Sequence, residues 1–216
     1  MKNKLWFLTT WLWLLTLAIL TTIYLVWLFY PLEVGWLDLE NTVHLSQKTI
    51  VHNFNILLDY LTNPLRTHLT MPAFPSSDSG LKHFRDVKFL FHTAQALFLI
   101  LALPGWRFFR QAGREKSFFL YERWFMGAAL LPLLIAAAAF FIGFDSFFIL
   151  FHQALFPGDS TWLFDPAADP VIWILPQDFF MHCFILFFVL YEGLMISLAR
   201  ISRKQTAQRR QKKEVQ

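Results

Sequence analysis

The chain has 216 residues, of which 56% are hydrophobic and 16% charged, and its formal net charge is +4. A soluble domain carries about a quarter charged residues and somewhat under half apolar ones, so a disordered chain, a disulfide scaffold and an ordinary cytosolic enzyme are excluded. A single cysteine, Cys183, can neither close an internal bridge nor complete a zinc site alone.

The apolar excess falls into four runs, each near the ~20 residues a helix needs to cross the hydrocarbon layer. The first, about 5–30, follows Lys2 and Lys4. Its core is longer than the ~7–15 residues of a cleaved signal peptide and no small-residue cleavage site follows, so it reads as a retained signal anchor. Ser46 to Leu61 then places Ile50, Phe54, Leu57, Leu58 and Leu61 at helical spacing, closed by Asn63-Pro64. Met71 to Gly80 is a loop rich in Pro, Ser and Asp. A helix beginning near Gly80 is expected to run directly into the second span, about 87–106. The third span, about 124–144, precedes the apolar stretch Phe147–Phe156, which is expected to lie at the membrane interface. Turn residues Pro157-Gly158-Asp159, Asp165-Pro166 and Asp169-Pro170 follow. The fourth span is about 179–200, broken only by Glu192, and a basic tail, 201–216, ends the chain.

Lys and Arg distribution sets the orientation of such spans. Fourteen of the 19 basic residues precede the first span, lie between the second and third, or follow the fourth. The segment 33–86 holds only Lys48, Arg66, Lys82 and Arg85, and 145–178 holds five Asp and no Lys or Arg. Both termini are therefore expected in the cytoplasm, with 31–86 and 145–178 outside. Neither outer segment is large enough for a comfortable core of its own, so the two are expected to pack together. The predicted fold is all-α: one integral membrane domain of four transmembrane helices with a small extracellular cap formed by the two outer loops. The basic tail reads as a topology and lipid-headgroup signal, not as a nucleic-acid site.

Histidines lie almost wholly on the outer side, and imidazole suits acid–base work near neutral pH. His83 shares a helix face with Asp86, and His152 sits within the apolar Phe147–Phe156 stretch, where an unpaired imidazole is costly. On local context alone, each is as readily a hydrogen-bonded interface histidine as a functional one. His92 and His182, each near an outer helix end, offer a haem-ligating pair instead. Glu192 is an intramembrane carboxylate, a functional candidate by default, for which pairing with Arg107 or Arg123 gives a structural reading. No His-Glu-x-x-His, phosphate loop, Gly-x-Ser-x-Gly or dinucleotide fingerprint is present.

The segment 151–180, FHQALFPGDSTWLFDPAADPVIWILPQDFF, resembles the signature of the lipoprotein intramolecular transacylases, the Lit family. It has the Phe-His start, the Trp-x-Phe-Asp-Pro centre and the Leu-Pro-x-x-Phe-Phe end in order. His83 to Lys88 resembles the family's His-x-x-Asp-Val-Lys, and Asn53 to Leu61 its Asn-aromatic…Leu-x-x-Tyr-Leu helix. The resemblance implies an acyltransferase of the bacterial cell membrane acting on a diacylglyceryl lipoprotein. The sn-2 acyl chain would move to the α-amino group of the N-terminal cysteine, leaving an N-acyl S-monoacylglyceryl (lyso) product. It implies catalytic roles for His83 and His152 at the outer face. Chemistry suggests that Asp86 orients an imidazole, that Asn53 holds a substrate carbonyl, and that Trp162, Phe164, Phe179 and Phe180 surround acyl chains. Tyr60 and Asp165 stand in the same motifs and join the substrate-orienting set. No cofactor, metal or nucleic acid is expected, and the chain is expected to act as a monomer among membrane lipids. Two other classes stay open: a haem-binding membrane protein and a non-catalytic four-helix partner protein.

Overall fold

The computed structural model describes residues 2–214; Met1 and the last two residues of the basic tail lie outside it. Those residues form seven α-helices and two short 3-10 turns, with no strand among them. The helices are α1 (Lys2–Trp36), α2 (Leu39–Val43), α3 (Gln47–Thr62), α4 (Asp78–Arg114), α5 (Glu122–Ile142), α6 (Phe144–Leu155) and α7 (Gln177–Glu214). Four stretches are long and apolar enough to cross a membrane: Lys4–Trp36, Asp78–Arg114, Phe118–Ile142 and Gln177–Lys212. The chain is an all-α, multi-pass membrane protein. At 1.5 Å per residue a helix of 37 residues such as α4 is roughly 55 Å long, far more than the ~30 Å hydrocarbon core. The expected span 87–106 is thus the middle of a helix that begins nine residues earlier.

Local signals account for the helix ends. Ser46 caps α3, its Oγ accepting from the Thr49 amide at 3.4 Å, and the Asn63 amide closes the other end on the Asp59 carbonyl at 2.9 Å. Ser77 caps α4 in the same way, accepting from the Gly80 amide at 3.0 Å. Gly143 separates α5 from α6 with φ 82° and ψ 149°, a backbone conformation that is essentially confined to glycine.

The helices contribute to two compact units. One takes residues up to 20, 95–141 and 186 onward, around Phe7, Leu14, Phe108, Phe125, Tyr191 and Met195. In it Trp11 Nε1 donates to Tyr191 Oη (2.7 Å), which donates onward to the Ala128 carbonyl (3.1 Å). Glu192 is buried here, and neither carboxylate oxygen has a hydrogen-bond partner among the described residues. The pairing with Arg107 or Arg123 that the sequence allows is not made.

The other unit takes residues 21–94 and 142–185. Its core joins Tyr30 of α1 to Ile50, Phe54 and Leu57 of α3, Phe84 of α4, Val171 and Ile174 of the loop after α6, and Phe179 of α7. The Tyr30 ring lies face-on to Phe54, Phe179 meets both edge-on, and the Tyr30 hydroxyl donates to the Ile174 carbonyl at 2.7 Å.

Candidate active site

Within this second unit lies a cavity of about 420 Å³. Its walls come from α1, α3, α4, α6, the loop after α6 and the first turns of α7, and they are mostly Leu, Ile, Val and Phe side chains. Besides Thr22 and Gln177, two imidazoles break the apolar lining: His83, from the second turn of α4, and His152, from the last turn of α6. Their ring centroids are 5.9 Å apart, with the planes inclined at 37°.

The two rings are held differently. His83 is 7% exposed, edge-on to Phe156 at 5.0 Å and Phe164 at 5.5 Å, and its buried Nδ1 has no hydrogen-bond partner among the described residues. His152 packs against Phe148 at 4.2 Å and stacks on Trp162 at 4.8 Å and 26°. Its Nδ1 lies 2.8 Å from the Phe148 carbonyl, one turn earlier on α6. A carbonyl only accepts, so Nδ1 carries the proton and Nε2 is left as the basic nitrogen. Burial among these rings holds the His152 pKa below the ordinary imidazole value, partly opposed by the bond to Phe148. The site therefore offers a neutral imidazole with a free lone pair beside a second imidazole, in mostly apolar surroundings.

The family model of the lipoprotein intramolecular transacylase Lit matches residues 4–180. The chain belongs to the Lit family. Among solved structures, it is similar to the in meso structure of the membrane integral lipoprotein intramolecular transacylase Lit from Bacillus cereus. That similarity has a TM-score of 0.79 at 25% identity, covering 97% of this chain and 98% of the other. A histidine-to-arginine variant of the Bacillus cereus protein shares the fold at TM-score 0.77, with 24% identity and coverage of 98% and 95%. No curated protein sequence gives a significant match. The Lit match takes in both pocket histidines.

The other Lit motif residues fall into two groups. Trp162, Phe164, Phe179 and Phe180 line the cavity with the histidines. Asn53, Tyr60, Asp86 and Asp165 are not among the lining residues. Asn53 is buried, its amide donating to the Thr49 carbonyl (2.8 Å) and its Oδ1 accepting from the Ala73 amide (3.0 Å), which ties the 71–74 loop to α3. Tyr60 lies under the ammonium of Lys88, 4.3 Å from ring centre to nitrogen, and Lys88 also donates to the Asn63 and Arg66 carbonyls. This Lys88 contact closes the C-terminal end of α3 against α4. Asp86 accepts from Lys82 at 3.2 Å and leaves His83 Nδ1 unpartnered. Asp165 folds its own turn, Oδ1 accepting from Ala167 (3.0 Å) and its carbonyl from Asp169 (2.7 Å).

That turn presents Asp169, which sequence reasoning did not single out. Its buried carboxylate accepts from the Ser77 amide (2.8 Å) and hydroxyl (2.7 Å), and so anchors the start of the helix that carries His83. Gly80 makes this possible, because a Cβ there would lie 2.2 Å from Asp169 Oδ1. His182 and His92 are outside the lining, and His182 Nδ1 lies 2.8 Å from Glu33 Oε2.

Proposed function

We propose that the His83–His152 pocket carries out intramolecular acyl transfer on a bacterial diacylglyceryl lipoprotein. The sn-2 acyl chain moves to the α-amino group of the N-terminal cysteine and gives the N-acyl S-monoacylglyceryl lyso form. The observation that carries the reading is the pair of imidazoles 5.9 Å apart in an apolar cavity, within a chain of this family.

The chemistry follows from the geometry. Both reacting groups belong to one substrate, so holding amine against ester can lower the barrier by roughly 7–11 kcal/mol. The neutral amine attacks the ester carbonyl carbon and its proton passes to His152 Nε2. The carbon–oxygen bond to glycerol then breaks, and the same proton is returned to the departing sn-2 oxygen. His83 faces that oxygen from the second wall and hydrogen-bonds it as charge develops. Both histidines end as they began, and acid–base assistance of this kind contributes about 10²–10⁴-fold. Trp162, Phe164, Phe179 and Phe180 bracket the acyl chains and keep water from the ester. The basic asymmetry of the sequence supports an orientation with both termini in the cytoplasm and the pocket, with segments 31–86 and 145–178, at the outer face where anchored lipoproteins lie.

Mass spectrometry of a lipoprotein N-terminus tests this directly. Wild-type protein is expected to convert the diacylglyceryl form to the lyso form, and His83→Ala and His152→Ala each to abolish conversion at normal membrane levels. Full conversion by either variant refutes the two-histidine site.

A further inference from the structure

The loop over His152 is fastened to the helix that carries His83. Trp162, stacked on His152, donates its indole Nε1 to the Asp159 carbonyl at 3.0 Å. The Asp159 carboxylate accepts from the Thr161 amide at 2.9 Å through Oδ1 and from Lys82 Nζ through Oδ2. Lys82 directly precedes His83 on α4 and also meets Asp86 one turn on, at 3.2 Å. A short run of contacts, Lys82 to Asp159 to Trp162 to His152, thus joins the helical turn of one histidine to the outer face of the other. The cation comes from another segment, here α4, since 145–178 contains no Lys or Arg. The bond to Lys82, then those to Thr161, hold the Asp159 carboxyl well below the usual carboxylate range, so it stays charged at any working pH.

We infer that Lys82 and Asp159 are positioning residues for acyl transfer, their ion pair strapping the Trp162 loop across His152 so that the imidazole stays aligned and water stays off the ester. The inference rests on the reading of His83 and His152 as the transfer site. Between α6 and α7 the chain has only turns and the 3-10 turn Pro170–Trp173. Asp169 pins the far side of this stretch to Ser77, and the Lys82–Asp159 pair pins the near side. The side chains are 48% and 24% exposed, and pairs exposed to this degree contribute little to global stability. Losing the strap should therefore show in the chemistry and leave unfolding almost unchanged. Once Trp162 lifts from His152, water reaches the base that otherwise takes the amine proton. The water oxygen then bonds to the acyl carbon, the glycerol carbon–oxygen bond breaks, and the water proton passes through His152 to the glycerol oxygen. The products are a free fatty acid and a lyso lipoprotein whose amine is unacylated.

The test uses the full chain in lipid vesicles with a synthetic diacylglyceryl lipopeptide, measuring N-acyl lyso product and free fatty acid by mass spectrometry. Lys82→Met and Asp159→Asn are each expected to lower kcat for transfer at least tenfold with KM within about twofold. Free fatty acid should become a measurable share of turnover, and the melting temperature should hold. Lys82→Arg, which keeps the ion pair, is expected to recover most of the transfer rate. The double variant Lys82→Met/Asp159→Asn is expected to be no worse than either single one, as for two residues acting through one contact. Wild-type rates in both single variants overturn the strap, as do fully additive losses in the double variant. Loss of the folded state in both variants also overturns it, because the pair is then structural. A wild-type protein that makes no lyso product overturns the functional reading and the strap together. Abolition by His83→Ala with intact strap variants overturns the strap alone.

Discussion

Replacing Gly80 with Ala reverses the usual sign of a helix substitution. In a helix interior, alanine is normally more stable than glycine by about 0.5–1 kcal/mol. At Gly80 the new methyl would lie 2.2 Å from Asp169 Oδ1 and 2.9 Å from its Cγ. The carboxylate is 2% exposed and committed to the amide and hydroxyl of Ser77, so it has nowhere to swing without dropping a bond. A hydrogen bond to a charged group contributes about 1.5–3 kcal/mol, and forcing atoms into a packed site costs about 1–3 kcal/mol. After the propensity gain is set against these, Gly80→Ala is expected to destabilise by roughly 2–4 kcal/mol. For a chain of this length that is a fall of roughly 5–15 °C in melting temperature, measured by thermal unfolding of the purified protein in detergent. Gly127→Ala and Gly193→Ala are the controls, since no neighbouring atom lies within 4 Å of a Cβ at either site, and both are expected to melt at or slightly above the wild type. Adding Asp169→Ala to Gly80→Ala should remove most of the clash, making the pair strongly non-additive. A Gly80→Ala protein that melts with the controls refutes the reasoning.

Other expectations concern the site and its setting. His152 must be neutral to act as the base, and burial lowers its pKa. The acid limb of kcat should therefore have its midpoint below the ordinary imidazole value of about 6.5, and a limb at or above that value contradicts the assignment. The same sign holds for folding: the unfolded chain takes up this proton first, so the contribution of His152 to stability declines as pH falls below about 6.5. His92→Gln combined with His182→Gln is expected to leave transfer within about tenfold, a loss under ~1.4 kcal/mol; a thousandfold loss in folded protein moves the chemistry away from the cavity. In a Cys183→Ser background, a cysteine at Thr67 should react with an impermeant thiol reagent from outside and one at Gln111 should not, and the opposite pattern rejects the proposed orientation.

The legible parts of the structure were those carried by short-range pattern. The apolar runs gave the spanning helices, and Ile50, Phe54, Leu57 and Leu58 gave α3 to within a residue at each end, because helical periodicity and the Ser46 and Asn63 caps are local properties. His83 and His152 stood out through their immediate surroundings and the family resemblance, and they line one cavity. Motif membership did not distinguish lining residues from supporting ones. Asn53 and Tyr60 share the motif helix with lining residues Phe54, Leu57 and Leu58, yet they face the 71–74 loop and Lys88. Contacts between distant segments were invisible for a simpler reason. Ser77 meets Asp169 across 92 residues and Lys82 meets Asp159 across 77, and neither pair has a periodicity or spacing that announces it. A weak clue existed in segment 145–178, whose five carboxylates have no cation of their own; two of them, Asp159 and Asp169, find partners at Lys82 and Ser77.

The bond from His152 Nδ1 to the Phe148 carbonyl closes within a single turn of α6, and that locality separates two demands on the pocket. A substrate with two long chains requires the walls to part and come together again. If the basic nitrogen were selected by a partner on another wall, each such breathing motion would let the imidazole switch tautomer. Here the choice is made by a ring of atoms that belongs to one helix and moves with it as a rigid piece. The cavity can widen around an incoming lipid while the proposed proton acceptor, His152 Nε2, stays the same.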